Sequence, residues 1–159
     1  MPDTVLPAAP PESAVIALLD RLRPGDWLAF ASGDAPLGNG IPTLRVDAPL
    51  ERVAGDVLRL LPISRHTLHP LLVWTTADTD PGIVDLTYAM QGLASDGSGR
   101  RMTATAIDDA LLQHGADTID AAIRVPWPGV PFLYIVCVGG GVHLPTDLAT
   151  PQRALAEVC

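Results

Sequence analysis

Residues 71–76 (LLVWTT) decide the predicted fold, because they form an apolar run with no polar alternation. Such a run is typical of a strand that is covered on both faces, as in parallel sheets. The segment that follows carries apolar residues at helical spacing, namely Ile83, Leu86, Met90 and Leu93. A buried strand followed by an amphipathic helix predicts a crossover connection between parallel strands.

The same succession of strands and helices extends in both directions from this segment. We predict further strands over residues 26–32, 43–46, 118–125 and 132–138, and helices over 14–22, 83–94, from Asp47 to before Pro62, from Thr103 to Gly115, and after Thr150. The short Pro-rich turn after residue 125 should join antiparallel strands, whereas helical connections should join parallel ones. The pattern predicts an α/β fold with a mixed, mostly parallel sheet of four or five strands and helices on both faces.

Length and composition are those of one folded domain. The 159 residues are 48% hydrophobic and 18% charged, which excludes a disordered chain. We expect residues 1–11, rich in Pro and Ala, to be a flexible lead and residues 12–159 to form the domain. The lead has neither the basic nor the apolar region of a signal peptide, and no apolar stretch is long enough to span a bilayer. A cytoplasmic location is therefore expected.

The net charge of −8 argues against nucleic-acid partners, because an acidic surface repels phosphate backbones. The high apolar content predicts that some apolar surface remains for contact with a second copy of the chain or with a protein partner. The candidate interface is the turn that bears Trp127 together with the following strand, whose aromatic members are Phe132 and Tyr134. No membrane contact is expected.

Polar residues gather where the predicted parallel strands end. Asp47 follows the second strand, Thr76, Asp78 and Asp80 follow the third, and Arg124 lies near the end of the fourth. Ligands of open α/β sheets bind beyond these carboxyl ends. If the second and third strands are neighbours, the three carboxylates converge into a site suited to Mg²⁺, and the arginine is placed to hold a phosphate group.

Local structural roles explain the same aspartates without any ligand. Asp favours helix N-termini and turns because its carboxylate bonds to nearby backbone amides. In that interpretation Asp47 caps a helix and Asp80 belongs to an Asp-Pro turn. The glycines at 139–141 follow a strand, as in phosphate-binding loops, but their spacing matches no such motif. A close approach of another chain segment explains them equally well.

No set of residues in the sequence matches a known catalytic arrangement. There is no GxSxG motif around a serine, and Cys137 lies in a strand that we expect to be buried. The sequence therefore favours a non-enzymatic binding or protein-interaction domain without a cofactor. The alternative is a small-ligand or phosphate-handling domain that uses the aspartates at the carboxyl edge of the sheet. Mg²⁺ is the candidate cofactor of this alternative.

Several short motifs resemble those of a family of uncharacterised small α/β domains that are common in GC-rich bacteria. The matching stretches are residues 23–26 (RPGD), 44–49 (LRVDAP), 71–78 (LLVWTTAD) and 120–125 (DAAIRV) followed by Trp127. The resemblance covers most of residues 23–137. It implies an α/β fold but no activity, so no functional residue is carried over from it.

Overall fold

A sheet with helices on both sides forms the framework of the molecule. The computed structural model describes residues 11–115 and 118–139. Along the chain these residues form α1 (Pro11–Leu19), β1 (Trp27–Ser32), β2 (Thr43–Arg45), α2 (Leu50–Leu60), β3 (Leu71–Thr75), α3 (Pro81–Ser98), β4 (Thr105–Ala106), α4 (Asp109–Gly115), β5 (Ile119–Val125) and β6 (Phe132–Cys137). The predicted last helix, after Thr150, lies outside the described residues.

The sheet has the strand order β2-β5-β1-β6-β3-β4 within the described part of the chain. The pairs β2–β5, β5–β1 and β3–β4 are parallel, whereas β6 is antiparallel to both β1 and β3. Every strand except β6 therefore runs in the same direction. The predicted mixed, mostly parallel α/β sheet is confirmed, with six strands in place of four or five.

The extra strand is β4, which the sequence pattern did not predict. Its two residues pair with Leu72 and Val73 of β3, and two residues are too few to show alternation. The helix expected to start at Thr103 begins only at Asp109. Its first turn is capped by Asp108, whose carboxylate accepts a 2.8 Å hydrogen bond from the Leu111 amide.

Strand order differs from the expectation at two places. β2 lies at one edge of the sheet and β3 is the fifth strand, so the two are not neighbours. β5 and β6 run antiparallel as predicted, but β1 lies between them. Six residues, 126–131, connect β5 to β6, and a connection of this length spans the roughly 10 Å of two strand spacings.

The two faces of the sheet carry different side chains. Leu28 and Phe30 of β1 join the core that packs under α1, α2 and α3, while Ala29 and Ala31 join a smaller cluster with Leu112 of α4. This division follows from the two-residue period of a strand. Helices therefore cover both faces, as predicted, and within the described residues the short helix α4 is the one that covers the alanine-rich face.

Helix α3 is longer than predicted, since it continues beyond residue 94 to Ser98. Asp80 caps its start, accepting a 3.2 Å hydrogen bond from the Ile83 amide, and Gly99 ends it with a left-handed φ of 77°. Gly97 lets α3 approach α2 closely, because a Cβ there would lie 3.1 Å from the Leu58 carbonyl oxygen. None of the helices that the structure describes is long and apolar enough to cross a membrane.

Close chain approach, one of the two explanations of the 139–141 glycines, accounts for the first of them. A Cβ on Gly139 would lie 2.7 Å from the Ile63 carbonyl oxygen and 2.8 Å from the Ser64 amide. The Gly139 amide itself donates a 2.8 Å hydrogen bond to the Pro62 carbonyl. No larger residue fits this position without moving the backbone, and the other two glycines lie outside the described residues.

Because the phenol of Tyr134 is buried, the fold should become less stable at alkaline pH. Burial raises the pKa of Tyr134 from 10.0 to about 12, and the 2.7 Å hydrogen bond with the Thr87 hydroxyl lowers it by less. The unfolded phenol ionises above pH 10, whereas the folded one stays neutral until about pH 12. The stabilisation is complete below pH 10 and is lost as the pH rises through 12.

We therefore expect the free energy of unfolding to fall by about 1–2 kcal/mol between pH 10 and 12. Urea denaturation across this range measures it. The Tyr134→Phe variant should lose most of the decline, and Tyr88→Phe, which alters the only other tyrosine, should keep it. Equal declines in the Tyr134→Phe variant and the wild type would show that another group is responsible.

Candidate functional site

A cavity of about 1060 Å³ opens between α3 and α4, beyond the carboxyl ends of β3 and β4. Its position agrees with the general rule for ligand sites in open α/β sheets. The lining residues come from the two strands, the loop after β3 and the two helices. They are Val73, Thr75, Thr76, Asp78, Ile83, Val84, Thr87, Tyr88, Gln91, Ala104 and the consecutive residues from Ala106 to Leu111.

Helix α3 forms one wall of the cavity with residues that share one helical face. Val84, Thr87, Tyr88 and Gln91 are spaced by three or four residues, which places them side by side. Tyr88 is 69% exposed, so its ring is available to a ligand. The Gln91 side-chain oxygen accepts a 2.9 Å hydrogen bond from the Ala104 amide. This bond fixes the side chain and leaves its NH₂ group as a donor.

Helix α4 forms the opposite wall and is fastened to the sheet by few contacts. Asp109 accepts a 2.8 Å hydrogen bond from the indole nitrogen of Trp74 on β3. Leu112 is the only buried residue of the helix among those described, whereas Leu111 is 56% exposed at the cavity. The position of this wall therefore depends mainly on one indole–carboxylate hydrogen bond and one buried leucine.

Among the described residues that line the cavity, every charged one is acidic. They are Asp78, Asp108 and Asp109, and no arginine or histidine of the described chain lines the cavity. Asp108 is occupied by the helix cap and Asp109 by Trp74. The Asp78 side chain is exposed and makes no hydrogen bond or ion pair within the described part of the chain. The cavity thus offers one unengaged carboxylate and repels anions.

Of the site residues predicted from sequence, the structure brings Thr76 and Asp78 together at this cavity. Asp80 lies next to them but caps α3, whereas the sequence placed it in an Asp-Pro turn. Asp47 lies beyond β2, four strand positions from β3, a separation of about 19 Å. It is exposed and does not cap α2, whose N-cap is Pro49 without a side-chain hydrogen bond.

The three aspartates do not converge, because the condition for it, adjacency of β2 and β3, is not met. Over residues 11–115 and 118–139, no group of three or more His, Cys, Asp or Glu side chains is placed to hold a metal ion. The Mg²⁺ site proposed from these aspartates therefore has no geometric support.

Arg124 lies on the far half of the sheet from the cavity. Its guanidinium donates hydrogen bonds of 2.7 Å to the Ser32 carbonyl and 3.1 Å to the Gly33 carbonyl, at the end of β1. Burial and, secondly, the nearby Arg45 lower the pKa of Arg124, and Asp34 raises it. The arginine is therefore separated from Thr76 and Asp78 by β1 and β6.

The structure places the aromatic residues predicted as an interface in the core or against it. Phe132 and Tyr134 have no exposed surface, because both lie in the central strand β6. Trp127 is half-buried, and its indole nitrogen donates a 2.9 Å hydrogen bond to the Val130 carbonyl in its own turn. Its ring contacts Phe132 edge-on at 5.6 Å between centroids. The turn is closed on itself and packs on the core.

The polar residues of the cavity that sequence reasoning missed include Tyr88, Gln91, Asp108 and Asp109. On an amphipathic helix, Tyr88 and Gln91 look like members of the solvent face. A usable signal was present nevertheless. The helix directly follows the loop that holds Thr76 and Asp78, so its polar face begins at the carboxyl edge of the sheet.

Solved structures with this architecture include three bacterial proteins. FucU from Bifidobacterium longum has 18% identity and a TM-score of 0.68, over 83% of this chain and 96% of that chain. The fucose mutarotase from Streptococcus pneumoniae, in complex with L-fucose, has 14% identity and a TM-score of 0.64, over 79% and 90%. RbsD from Bacillus subtilis, complexed with D-ribose, has 14% identity and a TM-score of 0.55, over 79% and 92%.

The chain shares the fold of these proteins. No protein-family model and no curated protein sequence matches the chain. The predicted protein-interaction role is wrong, since the neighbours with this fold are named for, or solved with, small sugars. The comparison favours the alternative that the sequence left open, a domain for a small ligand.

Proposed function

We propose that this chain binds a small, uncharged sugar in the cavity between α3 and α4. The observation that carries the proposal is the combination of an exposed tyrosine ring, a free carboxylate and a fixed amide in one cavity at the carboxyl edge of the sheet. The complexes of two neighbours with L-fucose and D-ribose support the choice of a sugar as the ligand.

The lining supplies the contacts that a sugar requires. The Asp78 carboxylate accepts hydrogen bonds from sugar hydroxyls, and the NH₂ group of Gln91 donates to a sugar oxygen. The Tyr88 ring offers an apolar face to the C–H side of the sugar ring. The three acidic side chains disfavour a phosphorylated sugar, because no cationic side chain among the described lining residues offsets the repulsion.

Binding is tested with D-ribose and L-fucose by calorimetry and by saturation-transfer NMR. We expect one of them to bind, and Asp78→Asn to weaken its binding about tenfold or more, as is typical of a lost hydrogen bond to a charged group. Asp85→Asn is the matched control, because Asp85 is exposed on α3 and does not line the cavity. The proposal fails if neither sugar binds, or if both variants weaken binding equally.

Mutarotation is a second candidate function, and the unengaged carboxylate of Asp78 favours it. In this reaction a base takes the proton of the anomeric hydroxyl while the bond between C1 and the ring oxygen breaks. The ring oxygen gains a proton from water, and closure on the other face reverses both transfers. Asp78 is placed to act as the base because nothing within the described chain competes for its oxygens.

Exchange NMR between the two anomers of the bound sugar measures this activity. We expect the wild-type chain to accelerate the exchange above the rate in buffer, and Asp78→Asn at saturating sugar to lower the acceleration at least 100-fold. Asp85→Asn should retain it. If the wild-type chain binds a sugar but does not accelerate anomer exchange, mutarotation is excluded and sugar binding remains the function.

The predicted self-association of the chain and its cytoplasmic location stay predictions from the sequence. If copies associate, the surface involved is not Phe132 or Tyr134, because both are buried in β6.

A further inference from the structure

Two arginines form a second polar feature at the carboxyl edge, on the half of the sheet opposite the cavity. Arg45 of β2 and Arg124 of β5 are register partners in a parallel pair. Side chains at partnered positions project from the same face of a sheet. The two side chains therefore project from the same face at the ends of neighbouring strands, and Arg45 lies near enough to lower the pKa of Arg124.

The Arg124 guanidinium is held in a fixed orientation. One of its terminal nitrogens donates to two carbonyls at the end of β1, those of Ser32 and Gly33, at 2.7 and 3.1 Å. A guanidinium has five N–H donors in a planar fork. Fixing one nitrogen leaves the remaining donors aimed in a defined direction without further loss of side-chain entropy.

The positive charge of this pair is not balanced within the described chain. Neither arginine has a carboxylate within ion-pair distance, and the ion pair found among the described residues joins Asp56 and Arg59 elsewhere. Asp34 acts on Arg124 from a longer distance and offsets one of the two charges. Two adjacent like charges at a partly buried position repel each other, and an anion between them removes that repulsion.

The space beside the pair is open. Gly33 is exposed, and apart from its two chain neighbours no described residue has an atom within 4 Å of the position that a Cβ there would take. A ligand can therefore approach the Arg124 guanidinium over the end of β1. We propose that Arg45 and Arg124 bind a small oxyanion, a phosphate or a carboxylate group, at this edge.

This anion site is separate from the sugar cavity in position and in charge. The strands β1 and β6 lie between β5 and β3, which puts the two sites about 14 Å apart or more. The cavity is acidic, whereas the arginine pair has a net positive charge. The anion site therefore takes its own ligand, and its test is independent of the proposed sugar binding.

Amide NMR spectra during titration with inorganic phosphate, and separately with acetate, test the anion site at constant ionic strength. We expect saturable shifts at Ser32 and Gly33, and a loss of affinity of about tenfold or more in Arg45→Gln. Arg45 makes no side-chain hydrogen bond within the described chain, so this variant should keep the fold and the unfolding midpoint of the wild type.

Arg21→Gln is the matched control, because Arg21 is an exposed arginine that precedes β1 at the opposite edge of the sheet. It should bind both anions as the wild type does. Tighter binding of phosphate than of acetate identifies a phosphate ligand, and equal binding identifies a site for any oxyanion. Shifts that do not saturate, or equal weakening in Arg21→Gln and Arg45→Gln, overturn the proposal by showing adventitious attraction to surface charge.

Discussion

The pairing of β6 with β1 on one side and β3 on the other is the interaction on which the rest of the structure depends. All six residues of β6 are buried, and the strand pairs along most of its length with both neighbours. Its alternating side chains contribute to both cores, Phe132 and Tyr134 under the three larger helices and Leu133 and Ile135 on the alanine-rich face. Because every other strand of the described sheet runs in the opposite direction, β6 is the one antiparallel connection between two parallel halves.

The insertion of β6 also divides the carboxyl edge into two chemically different regions. The half with β3 and β4 carries the acidic cavity, where Asp78 is unengaged and Tyr88 is exposed. The half with β2 and β5 carries the pair of Arg45 and Arg124. A sheet in which β2 and β3 were neighbours would place both sets in one cleft and produce the cation and phosphate site that the sequence suggested. The observed order instead separates the acidic cavity from the arginine pair.

Local sequence signals located the strands well, because apolar runs such as residues 71–75 and 132–137 are bounded by proline, glycine or polar residues. They did not determine the strand order, because it depends on contacts between distant segments. Such contacts produce no periodic pattern in the local sequence. The same distinction applies to the site. Thr76 and Asp78 were found because they directly follow a buried strand, whereas Asp47 was misplaced because its role depended on which strand lies beside β2.

The central claim is that the acidic half of the carboxyl edge, between α3 and α4, is where a sugar binds. A crystal structure of the chain grown with D-ribose or L-fucose tests it most directly. The account predicts sugar density against the Tyr88 ring, with a hydroxyl within hydrogen-bond distance of the Asp78 carboxylate. Sugar density at the end of β1 beside Ser32, with the α3–α4 cavity filled only by water, would contradict it.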